Sequence, residues 1–176
     1  MPKTSADFKV APQITLPSNA PQMKIGFSEI KEKYLPHGYP MLMLDRVVDH
    51  KAGEYIKAIK CVTGNAPEMA GHFPEERSIF PGTNILQAFA QLGIVFHRVE
   101  FGQLGPDELT LITQIEGKFL GPVYPGDVLE INMTPRKLDE QICMYNADAF
   151  VGEKRVAAGK LTLVKRNVSA IPDPLW

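Results

Sequence analysis

The segment from Thr83 to about Phe101 constrains this chain more than any other part of it. It is apolar on nearly every face of a helix, and a helix of that kind must be surrounded by protein. Gln87, Gln91, Gly93, His97, Arg98 and Glu100 interrupt it. Polar groups are costly in lipid, so a buried helix is expected and a membrane span is not. Pro81-Gly82 stands before it and Gly102 after it, and Thr83 and Asn84 are the expected N-terminal caps. With 176 residues in all, one domain must supply everything that covers this helix.

The cover is expected from strands. Glu108–Phe119, Asp127–Lys137, Gln141–Val151 and Arg155–Lys165 read as β-segments separated by turn-forming residues. Upstream, Met41–Val48 and Tyr55–Val62 read as a hairpin joined by Lys51-Ala52-Gly53-Glu54. One buried helix ahead of a run of antiparallel strands predicts an α+β domain in which a curved sheet wraps the helix. That domain is placed at residues 34–166. Residues 1–33 read as a Pro-bearing arm with a short helix around Phe27 to Tyr34, and 167–176 as a tail whose lone Trp176 docks on the surface.

Composition removes several function classes. Nineteen Lys+Arg against twenty Asp+Glu leave a net charge of -1, without the basic excess that phosphate backbones require, so no nucleic-acid partner is expected. Cys61 and Cys143 have neither metal-ligand spacing nor the density of a secreted scaffold and are expected to be small buried hydrophobes. With no signal-like stretch at Met1–Pro21, a cytoplasmic location is expected. No glycine-rich phosphate loop, Gly-x-Ser-x-Gly elbow or metal-spaced histidine pair occurs, and no cofactor is expected.

Chemistry concentrates in Gly71-His72-Phe73-Pro74, Phe80-Pro81-Gly82 and the first turns of the helix. His72 offers a base that titrates near neutrality, and the helix N-terminus offers N–H groups and a dipole for an enolate-like oxygen. The alternative is a histidine tied down by loop hydrogen bonds. Asn84, Gln87 and Gln91 fall at i, i+3 and i+7, a polar stripe on a greasy cylinder. Asn84 and Gln91 are expected to bind backbone or join subunits, whereas Gln87, one turn in, is best placed to face a ligand. His37 is expected to brace a turn between prolines, His50 to end a strand, and His97 to sit where the helix C-terminus favours a cation.

These residues resemble the hot-dog-fold (3R)-hydroxyacyl-[acyl-carrier-protein] dehydratases of bacterial fatty acid synthesis. The landmarks are Leu35-Pro36-His37 with Tyr39 to Val47, Gly71-His72-Phe73-Pro74, Pro81-Gly82 followed by Gln87-Ala88-Phe89-Ala90-Gln91, and Val123-Tyr124-Pro125-Gly126-Asp127. The resemblance implies a hot-dog domain, a homodimer or an assembly of dimers with composite active sites, and an acyl chain carried as a thioester of acyl carrier protein or coenzyme A. It implies His72 as the base, the Gly82 N–H as donor to the thioester carbonyl, and Phe73 and Phe89 beside the substrate.

In that family a Glu or Asp from the other subunit's helix helps the 3-hydroxyl leave as water, and Gln87 stands at the matching position. An amide hydrogen-bonds but cannot act as an ordinary acid. Glu75 or Glu76, in a loop one residue longer than usual, could replace the missing acid, or His72 could carry both proton transfers. Two other readings follow: a thioesterase in which Gln87 holds the attacking water for His72, and a non-catalytic acyl-binding subunit paired in a hetero-dimer with an intact relative. Phe89, Leu92 and Phe96 are expected to end the acyl tunnel, and Arg77, Lys118, Arg136 and Lys137 to offer charge to an acidic carrier.

Overall fold

The apolar segment is a helix, Gly82–Phe101, in a computed structural model that describes residues 25–73 and 78–171. The arm before Ile25, the loop bearing Glu75, Glu76 and Arg77, and Trp176 lie outside the described residues. Ten residues of the helix are buried, from Ile85 to His97, as an all-round apolar cylinder requires. Ahead of it run a helical turn α1 (Phe27–Glu29) that widens into a π-type turn (Ile30–Tyr34), strands β1 (Arg46–Lys51) and β2 (Tyr55–Cys61), and a short α2 (Pro67–Ala70). The long helix is α3. After it come β3 (Glu108–Phe119), β4 (Val128–Lys137), β5 (Ile142–Val151), β6 (Lys154–Asn167) and a terminal 3-10 turn at Val168–Ala170.

The strands form one antiparallel sheet in the order β1-β2-β4-β5-β6-β3. Alternation decides its inner face: in β5, Cys143, Tyr145, Ala147 and Ala149 are buried while their neighbours are not. That face meets α3, where Phe96 stacks on Tyr145 at 5.5 Å between ring centroids. Ile30 is fully buried in the same core, and Ile25 exchanges backbone hydrogen bonds with Val47, so residues 25–34 pack on the sheet's β1 margin. The other margin, β3, pairs with β6 along its length and has no partner strand on its outer side among the described residues.

Two local expectations are corrected. Met41–Asp45 is not a strand, because the side chain of Gln91 takes the place of a neighbouring strand there: its Nε2 donates to Met41 O at 2.6 Å and its Oε1 accepts from Met43 N–H at 2.8 Å. Ladder pairing starts only at Asp45, whose N–H donates to Ile59 O. At the start of α3, Pro81 is the capping position and no side chain caps the helix, so Thr83 and Asn84 lie within the first turn. Proline fixes its own φ and ends the preceding extended chain without needing a side-chain acceptor.

Candidate active site

His72 follows α2 and lines an open cleft of about 590 Å³ together with Phe80, Gly82, Ile85, Phe119 and Val123. The cleft lies where α3 begins. Its walls are tied together by backbone: Phe80 N–H donates to Val123 O at 2.8 Å, and Leu120 N–H donates to Val156 O on β6 at 2.8 Å. The next turn, Tyr124-Pro125-Gly126-Asp127, is fastened to the end of β2, with Val62 N–H on Asp127 O and Gly126 N–H on Val62 O, both at 2.9 Å. Gly126 has φ 97°, a left-handed conformation that glycine adopts without steric cost. The family's Pro-Gly-Asp landmark thus anchors one wall of the cleft.

The imidazole is fixed from one side. His72 Nδ1 lies 2.7 Å from Ile79 O, and a carbonyl can only accept, so Nδ1 carries the proton and neutral His72 has its lone pair on Nε2. Phe73 packs its ring against the imidazole at 4.2 Å between centroids and holds φ 56°. A non-glycine residue in that region costs on the order of 1 kcal/mol or more, a strain that clusters at functional sites.

At the cleft floor, Gly82 is the first residue of α3. The first N–H groups of a helix have no acceptor within it and carry the positive end of its dipole. A side chain at Gly82 would collide with Phe119, whose ring atoms lie 2.8–3.0 Å from where its Cβ would be. Phe119 itself is half-exposed. Its ring and the glycine therefore occupy one contact, and the backbone can be approached closely only because residue 82 is glycine.

Of the residues singled out from sequence, His72 and Gly82 line this cleft together; Gln87, Phe73 and Phe89 are not among its lining residues. Gln87 is partly buried one turn further along α3. Phe89 is fully buried, its ring 3.0–3.1 Å from where a Cβ on Gly159 would be. Sequence reasoning passed over Ile79, whose carbonyl fixes the base, and Phe119, which covers Gly82. Phe119 had only the weak signal of an apolar strand end, since the bulge between Ile112 and Gln114 puts it on the face of Ile115 and opposite to that of Leu109 and Leu111; Ile79 acts through its main chain and had none.

The remaining histidines are structural. His97 lies toward the C-terminal end of α3, as expected, and is buried there with its Nε2 donating to Glu140 O at 2.8 Å. His50 Nε2 pairs with Glu100 Oε1 at 2.7 Å. No group of metal-ligating side chains occurs among the described residues, nor a helix long and apolar enough to cross a membrane.

A curved antiparallel sheet around one helix, with a histidine and a helix N-terminus sharing a cleft, defines a hot-dog protein. The FabA-like domain family matches residues 35–160. The chain is 34% identical over 155 residues to a coronafacic acid dehydratase of Pseudomonas savastanoi pv. glycinea, covering 88% of this chain and 93% of that one. It is 41% identical over 135 residues to the 3-hydroxyacyl-[acyl-carrier-protein] dehydratase FabZ of Actinobacillus pleuropneumoniae, covering 76% and 87%. Among solved structures, the dehydratase heterocomplex ApeI:P of Xenorhabdus doucetiae superposes with TM-score 0.61 at 18% identity, covering 78% of this chain and 91% of that one. The chain belongs to the hot-dog (3R)-hydroxyacyl-[acyl-carrier-protein] dehydratase family, and its class is that of a dehydratase-like lyase.

Proposed function

We propose that the protein dehydrates 3-hydroxyacyl thioesters of acyl carrier protein or coenzyme A, with His72 as the base and Gln87 as a hydroxyl-positioning amide in place of an acid. The observation that carries this reading is the His72 Nδ1 to Ile79 O bond within the cleft that also holds Gly82. It commits one nitrogen and leaves Nε2 to take the proton from C2, while the Gly82 N–H receives the enolate-like thioester oxygen. The C2–H bond and the C3–O bond break, the C2=C3 double bond forms, and hydroxide leaves with a proton as water. An amide holds the departing oxygen but cannot protonate it, so the proton that His72 removed is the one it returns.

A homodimer fits this reading. β3 is a sheet edge with Leu111, Ile115 and Phe119 exposed along it, and long apolar edge strands are surfaces that a second strand covers. A second copy along that edge would bring its own α3, and thus its Gln87, toward this cleft. Cys143 is buried as expected, whereas Cys61, at the end of β2, is exposed, a correction to the expected buried hydrophobe; both are unpaired thiols, which suits a reducing cytoplasm.

The test is a mass-spectrometric assay of 3-hydroxyacyl thioesters on carrier protein and on coenzyme A, with wild type, His72→Ala and Gln87→Glu. Reversible loss of water by wild type, abolished in His72→Ala and accelerated in Gln87→Glu, is the expected result. Release of free acid would replace this reading with a thioesterase. An inert wild type that gains activity only when mixed with an intact relative would replace it with a hetero-dimer's acyl-binding subunit.

A further inference from the structure

The α3 residues that line the cleft are Gly82, Thr83 and Ile85, and beyond them the helix meets the sheet in a tight seam. Gly82, Leu86, Phe89 and Gly93 lie at i, i+4, i+7 and i+11, one face of the helix. Their partners are Phe119 and Gly117 on β3 and Gly159 and Leu161 on β6. Size alternates across the seam. Glycine on the helix receives Phe119, Leu86 fills the space a side chain on Gly117 would need, Phe89 does the same over Gly159, and Gly93 receives Leu161, whose Cδ1 lies 2.9 Å from where a Cβ on Gly93 would be. Gly117 and Gly159 are themselves cross-strand partners. The cleft is lined on these elements by Gly82, Ile85 and Phe119, and the next contact of this seam, Leu86 on Gly117, lies just outside its lining.

We propose that Leu86, lodged on Gly117, sets the depth of the acyl channel and so selects the chain length of the substrate. This rests on the acyl-thioester function proposed above and names the residue that gives it its size limit. With the thioester held between His72 and Gly82, the chain leaves along the apolar wall of Ile85 and Phe119 and meets Leu86 first. Leu86 is only partly buried and faces a glycine, so nothing behind it but the sheet backbone closes the seam. Phe89, fully buried over Gly159, is the next barrier. Shortening Leu86 therefore lengthens the channel by one step and does not open it without limit. A side chain at Gly117 would push Leu86 back toward the cleft and shorten the channel.

The experiment measures binding of a series of 3-hydroxyacyl pantetheine thioesters of increasing chain length, since the pantetheine arm is common to coenzyme A and carrier protein. Affinity should climb by roughly tenfold for each added pair of methylenes until the channel is full, then level off. Leu86→Ala should move that break point out by about two carbons, the space vacated by the isobutyl group, with roughly tenfold tighter binding of the first newly admitted chain. Gly117→Ala should move it in the opposite direction. If Leu86→Ala does not fold by circular dichroism, Leu86→Val serves with a smaller shift. Folded variants whose break point stays at the wild-type length overturn the proposal. A wild type that binds no chain of any length overturns it together with the acyl-thioester function. A break point that moves as stated in a protein that turns nothing over upholds the channel and overturns only the reaction.

Discussion

The two ends of α3 are built from similar residue types and put to opposite uses. At the C-terminal end most polar groups are spent within the chain, and the His97 Nδ1 and Arg98 Nε left over are buried away from solvent. Glu100 takes His50 on one oxygen and the Gly53 N–H on the other, Arg98 Nη1 donates to Lys33 O, and His97 spends Nε2 on Glu140 O. Gly102, with φ 90°, closes the helix on Arg98 O. At the N-terminal end no side chain caps the helix, and His72 spends one nitrogen on Ile79 O beside an open, largely apolar cleft. A histidine or a helix terminus is thus not a site by type. It becomes one where an unpartnered lone pair and N–H groups open on a cleft, as at His72 and Gly82, and not where they are sealed in the core, as at His97 Nδ1.

The comparison can be broken most directly by exchanging a function for a fold. His72→Ala should lower turnover by about 10²–10⁴-fold, the usual worth of general acid–base assistance, and leave the urea midpoint near wild type. A large drop in stability instead would place His72 with the structural histidines. Gln91→Leu should show the reverse. It strands the buried Met43 N–H, worth about 1–3 kcal/mol, and frees the part-buried Met41 carbonyl, and equilibrium unfolding should register a loss in that range while folded protein keeps its turnover number.

A smaller effect concerns pH. Burial, and then the Arg98 guanidinium, hold the His37 imidazole below its ordinary value of 6.5. The unfolded chain therefore binds more protons there as pH falls below 6.5, and stability present above that value is lost toward the lower folded value. Wild type should lose more of its urea midpoint between about pH 7.5 and pH 5.5 than His37→Gln does; equal losses would mean that His37 titrates alike in both states. The smallest change is expected from Lys33→Ala. Its pairing with Glu29 is an exposed i,i+4 contact at 3.2 Å, worth no more than about 0.5 kcal/mol, and a larger loss would show that Lys33 steadies the Arg98 contact through its carbonyl.

How much of this was legible in the sequence depends on whether a residue acts through its pattern or through its main chain. β3 to β6 follow from alternation and turn residues, and their observed bounds lie within about two residues of the reading, because each strand has one face on α3 and one away from it. Met41–Asp45 misled because a run of apolar residues marks burial, not ladder pairing: Met43 and Leu44 are buried, but a side chain meets the backbone need. Gln91 was correctly read as a backbone-binding amide. At the site, His72 and Gly82 were legible as a base and a helix entrance, whereas the contacts Ile79 O and Phe119 depend on how loops fold back and leave no trace in residue type.

The bond from His72 to Ile79 O also acts as a staple. It joins the two ends of a loop directly, so the aim of the imidazole is set by the staple and not by the number of residues threaded between its ends. Loop-closure entropy grows only slowly with length, about 0.6 kcal/mol for a doubling. The aim of the imidazole is therefore carried by residues 72 and 79 themselves, and a change in the number of residues between them costs little in closure entropy.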